Sequence, residues 1–279
     1  MTVGAEAQAP PDVEMLLARV GERIAEYYRR AQNVICTEKN TVQPVGHDYA
    51  PLGFARVTEY ELHVEADAST EGDDPAEAKV VRELLRINGR VPRDRDKKDR
   101  AGCTDANPLS SEPLTFLLPV HRSEYTFASG GPGKGKDRNT LIIEFTSSKP
   151  EGKGQLAEDP RGHPDCFTWS LPVVLKGRVF VDANSFEVVR VEQRMASMAD
   201  LSVPLKLQRE HNFSNSIVVE RHDTVIRYRS VGFHDPDEAM LLPESIDTLI
   251  VVRGGLESMR SRQVFADYRR FMTGARVIK

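Results

Sequence analysis

A glycine- and lysine-rich loop over residues 130–136 has the letters of a phosphate-binding motif. It reads Gly-Gly-Pro-Gly-Lys-Gly-Lys, which satisfies the spacing G-x-x-x-x-G-K. A phosphate cradle needs a strand before the loop, a helix after it, and Ser or Thr directly after the lysine, so that amides, helix dipole and a magnesium ligand converge. Here Asp137 follows Lys136, and residues 139–145 alternate like a strand. The sequence therefore predicts a flexible basic hairpin loop and no nucleotide site.

The seven histidines do not have the spacing of a catalytic or metal-binding motif. No H-x-H or H-E-x-x-H is present, and no G-x-S-x-G nucleophile elbow. His211 and His222 are expected on neighbouring strands, where exposed strand-face histidines are the ordinary interpretation. His163 and Cys166 have the spacing of half a metal site, with no second half in the sequence. We predict no catalytic residue, no metal site and no cofactor, and a hydrolase or metal enzyme is the third-ranked alternative.

The three cysteines, Cys36, Cys103 and Cys166, form no C-x-x-C pair. Cys103 and Cys166 both fall in polar segments, where free thiols are unfavourable in a reducing cell but can form structural disulfides in an oxidising compartment. A bridge between them would close a loop of about 60 residues and stabilise the fold by ~4 kcal/mol in the chain-entropy model. Cys36 is on a predicted strand and is expected to be the odd, buried cysteine. Pairing of Cys36 with either of the others stays open, as does the interpretation that all three are small hydrophobic residues.

The composition excludes several classes of protein. Hydrophobic residues make up 39% of the 279 residues, which is enough for a core, and no run approaches the 18 apolar residues of a membrane-spanning helix. The net charge is −4, without the basic excess of a duplex-binding protein. The few aromatic residues are not interleaved with basic ones as in a single-strand platform. We therefore expect no nucleic-acid partner and no membrane-spanning segment.

The first residues of the chain are typical of an exported protein after cleavage of its signal. Residues 1–11 lack a charged region and an apolar region, so they do not read as a signal peptide. They contain A-x-A steps followed by prolines, a composition common just after a cleavage site. We expect a disordered tail over 1–11, a single domain over 12–279, and a periplasmic or secreted location. An ordinary N-terminal tail is the alternative.

The hydrophobic period changes from helical to strand-like after residue 32. Apolar residues at i, i+3, i+4 and i+7 predict an amphipathic helix over 12–32, capped by Asp12. Residues 110–119 predict a short helix with Ser111 as cap and Pro119 as its end. The segment 80–89 is ambiguous, although Asn88-Gly89 favours a hairpin turn. Strands are predicted over 34–42, 54–66, 121–127, 139–145, 176–195 (a hairpin), 205–213, 216–233, 241–255 and 256–271, and 147–166 is predicted as a long polar loop.

The strands follow one another through short turns, which predicts a mainly β (α+β) fold. Sequential antiparallel pairing gives a large meander, and a sheet of long strands curls because strands twist. We expect an incomplete barrel covered by the N-terminal helix and the short second helix.

Three segments near the C-terminus resemble a known superfamily. They are the hairpin 177–192 with its return strand Val-Arg-Val-Glu, the strand opening Leu-Pro-Glu-Ser at 242–245, and the closing Ala-Asp-Tyr-Arg-Arg-Phe at 266–271. Together with the amphipathic N-terminal helix they resemble the outer-membrane lipoprotein carrier superfamily of LolA, LolB and RseB-type sensors. The resemblance covers about a third of the chain. It implies an incomplete antiparallel barrel around helices, with an apolar cavity that takes acyl chains or serves periplasmic sensing.

From this resemblance we expect a non-enzymatic exported protein that holds a lipid or other hydrophobic ligand. Each buried CH₂ of an acyl chain gains ~0.8 kcal/mol, so an apolar concave face can hold a lipid without catalytic groups. An envelope protein-interaction or stress-sensing module with a filled core is the second-ranked alternative. The candidate cavity residues, chosen from the apolar faces, are Leu17, Ile24, Phe116, Leu117, Trp169 and Phe180.

Overall fold

The computed structural model of the chain describes residues 12–30, 34–65, 79–93, 113–159, 166–234 and 237–270. The predicted N-terminal tail, Ser111, Cys103 and His163 lie outside the described residues.

The predicted amphipathic helix is α1, Val13–Arg30. Asp12 caps it, since the Glu14 N–H donates to Asp12 Oδ1 at 3.1 Å and satisfies one of the free amides of the first turn. The apolar stripe that predicted the helix is its buried face: Leu16, Leu17, Val20 and Ile24 are all at most 2% exposed. The helix forms because its sequence is periodic and capped, and it is held because that stripe is covered.

The rest of the described chain is dominated by one antiparallel sheet. Its thirteen strands within the described ranges are β1 Val34–Pro44, β2 Arg56–Glu65, β3 Lys79–Ile87, β4 Tyr125–Pro132, β5 Thr140–Ser147, β6 Gly154–Glu158, β7 Phe167–Ser170, β8 Leu175–Asp182, β9 Val188–Met195, β10 Ala199–Ser202, β11 Ser216–His234, β12 Asp237–Arg253 and β13 Met259–Arg270.

The strand order is β3-β2-β1-β13-β12-β11-β9-β8-β5-β4, and each neighbouring pair along it is antiparallel. Among the described residues the two end strands, β3 and β4, do not pair with each other, so the sheet stays open. A short branch leaves β11, where β10 pairs with β11 and with β6, and β6 pairs with β7. The predicted fold class, a large antiparallel sheet forming an incomplete barrel under a helix, is confirmed.

The register aligns one row of side chains across eight strands. It runs through directly paired residues, which in an antiparallel sheet face the same side. The row changes from apolar to polar where β12 meets β13. Its members, from β5 to β2, are Ile143, Val179, Val191, Ile226, Ile246, Gln263, Asn40 and Thr58.

The apolar end of this row is the part of the sheet that α1 covers. Ile143, Val179 and Val191 are at most 3% exposed and pack with Leu16 and Leu17 of the helix in the largest core cluster. A second cluster lies beneath the branch, where Leu156 of β6, Leu201 of β10 and Ile217 of β11 are fully buried. Two smaller apolar clusters lie on the sheet as well, one around Phe233 and one around Phe265, so the described residues form four clusters, and α1 covers the first.

The predicted strand over 205–213 is wrong, because this segment forms the helix α2, Leu205–His211. Leu205 and Leu207 are two positions apart, which is the spacing of one face of a strand. In the structure, of these two only Leu207 is buried, and Leu205 is 68% exposed. Asn212, with φ at 55°, ends the helix in the left-handed conformation that short polar side chains tolerate. His211 is therefore on a helix and not on a strand beside His222.

The helix predicted over 110–119 is also corrected. Its described part forms a 3₁₀ turn, Thr115–Leu117, and Pro119, predicted to end the helix, instead begins a second turn, Pro119–Glu124. Proline is favoured at a helix start because its missing N–H is not needed there. The strand predicted from residue 121 begins only at Tyr125, and β6 lies within the predicted polar loop 147–166.

The ambiguous segment 80–89 is resolved as the strand β3 followed by the expected tight turn. Asn88 and Gly89 both have positive φ, at 48° and 77°, which is the geometry that makes this dipeptide a hairpin signal. The Val57 N–H also donates to Asn88 Oδ1 at 2.9 Å, so the turn is fastened to β2.

Candidate functional site

An open cleft lies between the C-terminal half of α1 and the sheet. The space between its walls is about 540 Å³ when the open solvent at its mouth is included. Its lining comes from one face of α1, from the segment before the first 3₁₀ turn, and from β9, β11 and β12. The lining residues are Arg23, Ile24, Glu26, Tyr27, Arg30, Leu114, Glu187, Val188, Tyr228, Met240 and Leu241.

The walls of the cleft are apolar in part, with charged side chains among the apolar ones. Ile24, Leu114, Val188 and Met240 are each at most 3% exposed, and Leu241 is partly buried against the main core cluster. Side chains of this kind, with a few polar groups among them, are typical of sites for small apolar molecules.

Four charged residues line the cleft, and three of them belong to ion pairs. The three are Arg23, Glu26 and Arg30. Arg23 contacts Glu26 at 2.9 Å and donates to the Ser185 carbonyl at 3.0 Å. Arg30 contacts Glu238 at 2.7 Å and Glu26 at 3.5 Å. Both arginines are therefore engaged with the protein. They also fasten α1 to the β8–β9 turn and to the start of β12, which sets the width of the cleft.

One polar group lies deep in this apolar surface. The Tyr228 hydroxyl is buried and has no hydrogen-bond partner among the described residues, and the Tyr228 side chain is only 7% exposed. Burial raises the pKa of Tyr228 well above its usual value, with smaller contributions from the neighbouring phenols of Tyr27 and Tyr28. The hydroxyl is therefore protonated at every physiological pH and placed beneath α1.

The two tyrosines of α1 complete this end of the cleft. Burial raises the pKa of Tyr27 above its usual range, and its ring meets that of Tyr28 edge-on, with 5.1 Å between centroids. The Tyr28 hydroxyl accepts a hydrogen bond from the Leu114 N–H at 3.1 Å, which holds the segment before the 3₁₀ turn against the helix.

Arg122 fixes the other end of α1. Its Nε donates to the Leu117 carbonyl at 2.8 Å and its Nη2 to the Leu17 carbonyl at 2.5 Å. One guanidinium thus joins the helix to both 3₁₀ turns, and it lies against the helix at Gly21.

Four of the six predicted cavity residues lie together where α1 packs on the sheet. Leu17, Ile24 and Leu117 are buried in the main cluster and Phe116 packs against it. Of these four, only Ile24 lines the cleft, because the other three fill the core beside it.

The remaining two predicted cavity residues lie elsewhere. Trp169 packs against the second cluster. Phe180 is buried under the guanidinium of Arg190, which lies 3.7 Å over its ring. β8 alternates its faces, so Phe180 and the core residues Val179 and Val181 point to opposite sides of the sheet.

Most of the lining residues could not be predicted from the sequence. Val188, Tyr228 and Leu241 are far apart in sequence and meet only through the register of β9, β11 and β12. One signal could have been used: Tyr228 is an isolated aromatic residue within the charged strand segment 227–229, where its neighbours on both sides are arginines.

A buried ion pair occupies the polar end of the register row. Glu38 is fully buried and accepts from Arg82 at 2.5 and 2.8 Å and from Gln263 at 2.9 Å. Asn40, also fully buried, has no partner for its side-chain amide among the described residues. A charge is tolerated inside a protein when it is paired and hydrogen-bonded, and Glu38 meets both conditions.

The glycine- and lysine-rich loop has a structural role. Asp137 accepts a bidentate pair of hydrogen bonds from Arg190, at 3.0 and 2.8 Å, and these hold the pKa of its carboxyl below its usual range. β4 extends into the loop to Pro132, and β5 follows it, so neither flank offers the helix that a phosphate cradle requires.

Within the described ranges, no group of three or more His, Cys, Asp or Glu side chains could hold a metal ion. In the same part of the chain, no helix combines the length and apolar character needed to cross a bilayer. Cys36 is a free thiol, 5% exposed, and burial raises its pKa to about 12. Cys166 is buried as well, but Cys103 lies outside the described residues, so the Cys103–Cys166 bridge stays a prediction.

The fold and the cleft define a class of protein: an open antiparallel half-barrel with a helix along one face and a partly apolar cleft beneath it. No protein-family model matches the chain, and no curated protein shows a significant match to it.

Two solved structures match the chain over nearly its whole length. One is a LolA superfamily protein from Nitrosomonas europaea, with a TM-score of 0.36, 9% identity, and coverage of 94% of this chain and 97% of that one. The other is a domain named as an outer membrane lipoprotein-sorting protein, from Vibrio parahaemolyticus, with a TM-score of 0.39, 10% identity, and coverage of 95% and 96%.

Proposed function

We propose that this protein is a non-enzymatic binding protein that holds an acyl chain or similar hydrophobic ligand in the cleft beneath α1. The observation that carries the proposal is the cleft itself, which is open at its mouth and has buried apolar side chains in its wall, among them Ile24, Val188 and Met240. Each CH₂ removed from water there contributes ~0.8 kcal/mol, so a chain of moderate length binds without any catalytic group.

The location belongs to the same proposal. An exported, periplasmic protein would meet acyl chains at the membranes around it. Its partner in transfer is an envelope protein.

The test is binding of a fluorescent acyl probe to a variant in which the cleft is filled. Leu241→Trp places an indole where Leu241 lines the cleft, and we expect the probe to bind at least about tenfold more weakly because the indole occupies its space. Leu205→Trp, at a site 68% exposed on α2, is the matched control and should bind the probe like the wild type.

Organic extraction of the purified protein gives an independent measurement. Mass spectrometry of the extract should find lipid in near-stoichiometric amount. A folded wild-type protein that binds no probe and yields an empty extract would overturn the proposal and favour a protein-interaction module whose core is filled by its own side chains.

A further inference from the structure

The two end strands of the open sheet differ in how well they are protected against pairing with another chain. Among the described residues β3 pairs with β2 alone and β4 with β5 alone, so each strand has one open edge. β4 is blunted by Pro132, which has no N–H, and by a bulge after Ser129. β3 contains neither proline nor glycine over 79–87, and its pairing with β2 is regular up to a bulge at Leu85. β3 is therefore the edge that can accept a further strand.

Exposed large apolar side chains are concentrated on and beside β3. Of the ten such side chains in the described ranges, six lie on the β1–β2 loop, on β3 or directly after the turn that follows β3. They are Tyr49, Leu52, Phe54, Val81, Leu85 and Val91. Phe54 is 97% exposed. A concentration of exposed apolar surface on one part of a protein indicates an interaction surface.

The β1–β2 loop and the turn after β3 lie at the same end of the sheet, and both are fixed there. Gln43 Nε2 donates to the Leu52 carbonyl at 2.9 Å, which holds the loop against the end of β1. The Asn88 N–H donates to the Val57 carbonyl at 2.7 Å, which holds the turn against the start of β2. Phe54 lies between Leu52 and Val57 in the chain, so its backbone is held on both sides. Exposed aromatic side chains on a fixed backbone are suited to contact a protein partner, since aromatic residues are enriched in protein interfaces.

The charges of this edge favour an acidic partner. Residues 79–93 contain a single acidic residue, Glu83, although the whole chain has a net charge of −4. The same segment contains five basic residues, which are Lys79, Arg82, Arg86, Arg90 and Arg93. Arg82 is committed to Glu38, whereas Arg86 is exposed and contacts Glu59 at 3.8 Å, and Arg90 is exposed as well. A segment of opposite charge would be attracted to this edge and oriented along it.

We propose that β3 binds an extended acidic segment of a partner protein, which adds to the sheet as a further strand. The backbone of that segment pairs with the open edge of β3, its apolar side chains cover Val81 and Leu85, and its acidic side chains lie beside Arg86 and Arg90. In this mode of recognition the main-chain hydrogen bonds supply affinity and the side chains supply specificity.

This edge is separate from the cleft. In the strand order, β2, β1 and β13 lie between β3 and β12, which is the nearest strand that lines the cleft. The inference therefore goes beyond the proposed function and does not depend on it, because a protein that binds no acyl chain can still bind a peptide at β3.

The test is a selection from random peptides nine residues long, the length of β3, displayed on phage and presented to the full chain. We expect the enriched peptides to be acidic, with apolar residues at every second position, because that spacing places the apolar residues on one face of a strand.

Backbone methylation of an enriched peptide tests for strand addition. In a strand, alternate N–H groups point to opposite neighbours, so two synthetic copies are made, each methylated at one of the two alternating sets of backbone nitrogens. We expect one copy to bind at least about tenfold more weakly, because it loses the N–H groups that face β3, and the other copy to bind within about twofold of the parent peptide. Fluorescence anisotropy of labelled peptides measures both.

Val81→Glu is the variant that tests the position. It should weaken the parent peptide at least about fivefold, because it removes an apolar contact and repels an acidic segment. Met198→Glu is the matched control, since Met198 is also exposed but lies between β9 and β10, and its variant should bind the peptide like the wild type. The midpoint of urea unfolding should be alike for the two variants, because both side chains are exposed.

Three results would overturn the inference: no enriched peptide or no acidic bias among those enriched, equal binding of the two methylated copies, or binding by Val81→Glu that equals the wild type. Two other occupants of the edge would overturn it as well. A second copy of this chain would make the wild type a dimer and Val81→Glu a monomer in light scattering. A bilayer would give binding to phosphatidylglycerol vesicles that Phe54→Ser abolishes, with no peptide enriched. Val81→Glu should bind the fluorescent acyl probe like the wild type, so failure at β3 leaves the proposed function standing.

Discussion

At the scale of single residues, this protein contains buried polar groups of two kinds. Glu38 is fully buried but satisfied, by Arg82 and Gln263, and so contributes to the definition of the fold. Tyr228 is also buried, and its hydroxyl has no hydrogen-bond partner among the described residues. The contrast matters because a satisfied buried group adds little cost to folding, whereas an unsatisfied one lowers the stability of the fold.

The carboxylate of Glu238 makes the stability of the protein depend on pH. Hydrogen bonding to Arg30, with the nearby charge of Arg270, lowers the pKa of Glu238 in the folded state. This stabilisation is fully present above the ordinary glutamate pKa of about 4.3 and is lost as the pH falls through the lower folded pKa. We expect the free energy of unfolding in urea to fall between pH 6 and pH 3, and to fall less in Glu238→Gln. Equal losses in the two proteins would contradict this role.

At the scale of elements, α1 is the part of the fold that forms the cleft. It is fastened at its first half by Arg122 and at its second by the ion pairs of Arg23 and Arg30. The Arg122 contact depends on Gly21, because a Cβ added there would lie 2.5 Å from Arg122 Nη2.

Gly21→Ala should therefore have opposite effects in two backgrounds. In the wild type we expect a loss of about 1 kcal/mol, since the methyl group displaces the guanidinium from the Leu17 carbonyl. In an Arg122→Ala background the same change should stabilise by up to about 1 kcal/mol, because alanine has the higher helix propensity. The measurement is a double-mutant cycle by urea unfolding, and additive effects would refute the coupling.

At the scale of the whole molecule, one row of side chains across the sheet is apolar from β5 to β12 and polar on β13, β1 and β2. The division runs along a single row of the register, from Ile143 to Thr58, and places the apolar walls of the cleft at one end only. A ligand with a long apolar chain is therefore expected beneath α1 and not along the full width of the sheet.

The predicted Cys103–Cys166 bridge belongs to the whole molecule because it would close a loop of about 60 residues. Denatured, non-reduced protein should contain one free thiol, that of Cys36, which is free and buried in the fold. Reduction should lower the stability by roughly 4 kcal/mol in the chain-entropy model. Three free thiols before reduction would exclude the bridge, and Cys36→Ala, which should then leave no free thiol, is the control.

The elements that could be predicted are those whose signal is local. The stripe of α1, the Asp12 cap and the 176–195 hairpin depend on residues within a few positions of each other, and all three are present. The segment 205–213 was predicted wrongly as a strand. It is short and has one buried residue, Leu207, so its pattern fits both the helical period of 3.6 and the strand period of 2.

The cleft could be predicted only in outline. The apolar stripe of α1 has to be buried, so the sequence determined that α1 would pack on the sheet with Ile24 on its buried face. The rest of the lining was decided by tertiary structure, because pairing of β9 with β11 and β11 with β12 brings Val188, Tyr228 and Leu241 under one helix. Hydrophobic periodicity specifies which face of an element is buried, whereas the partner of each residue is set by register between strands distant in sequence.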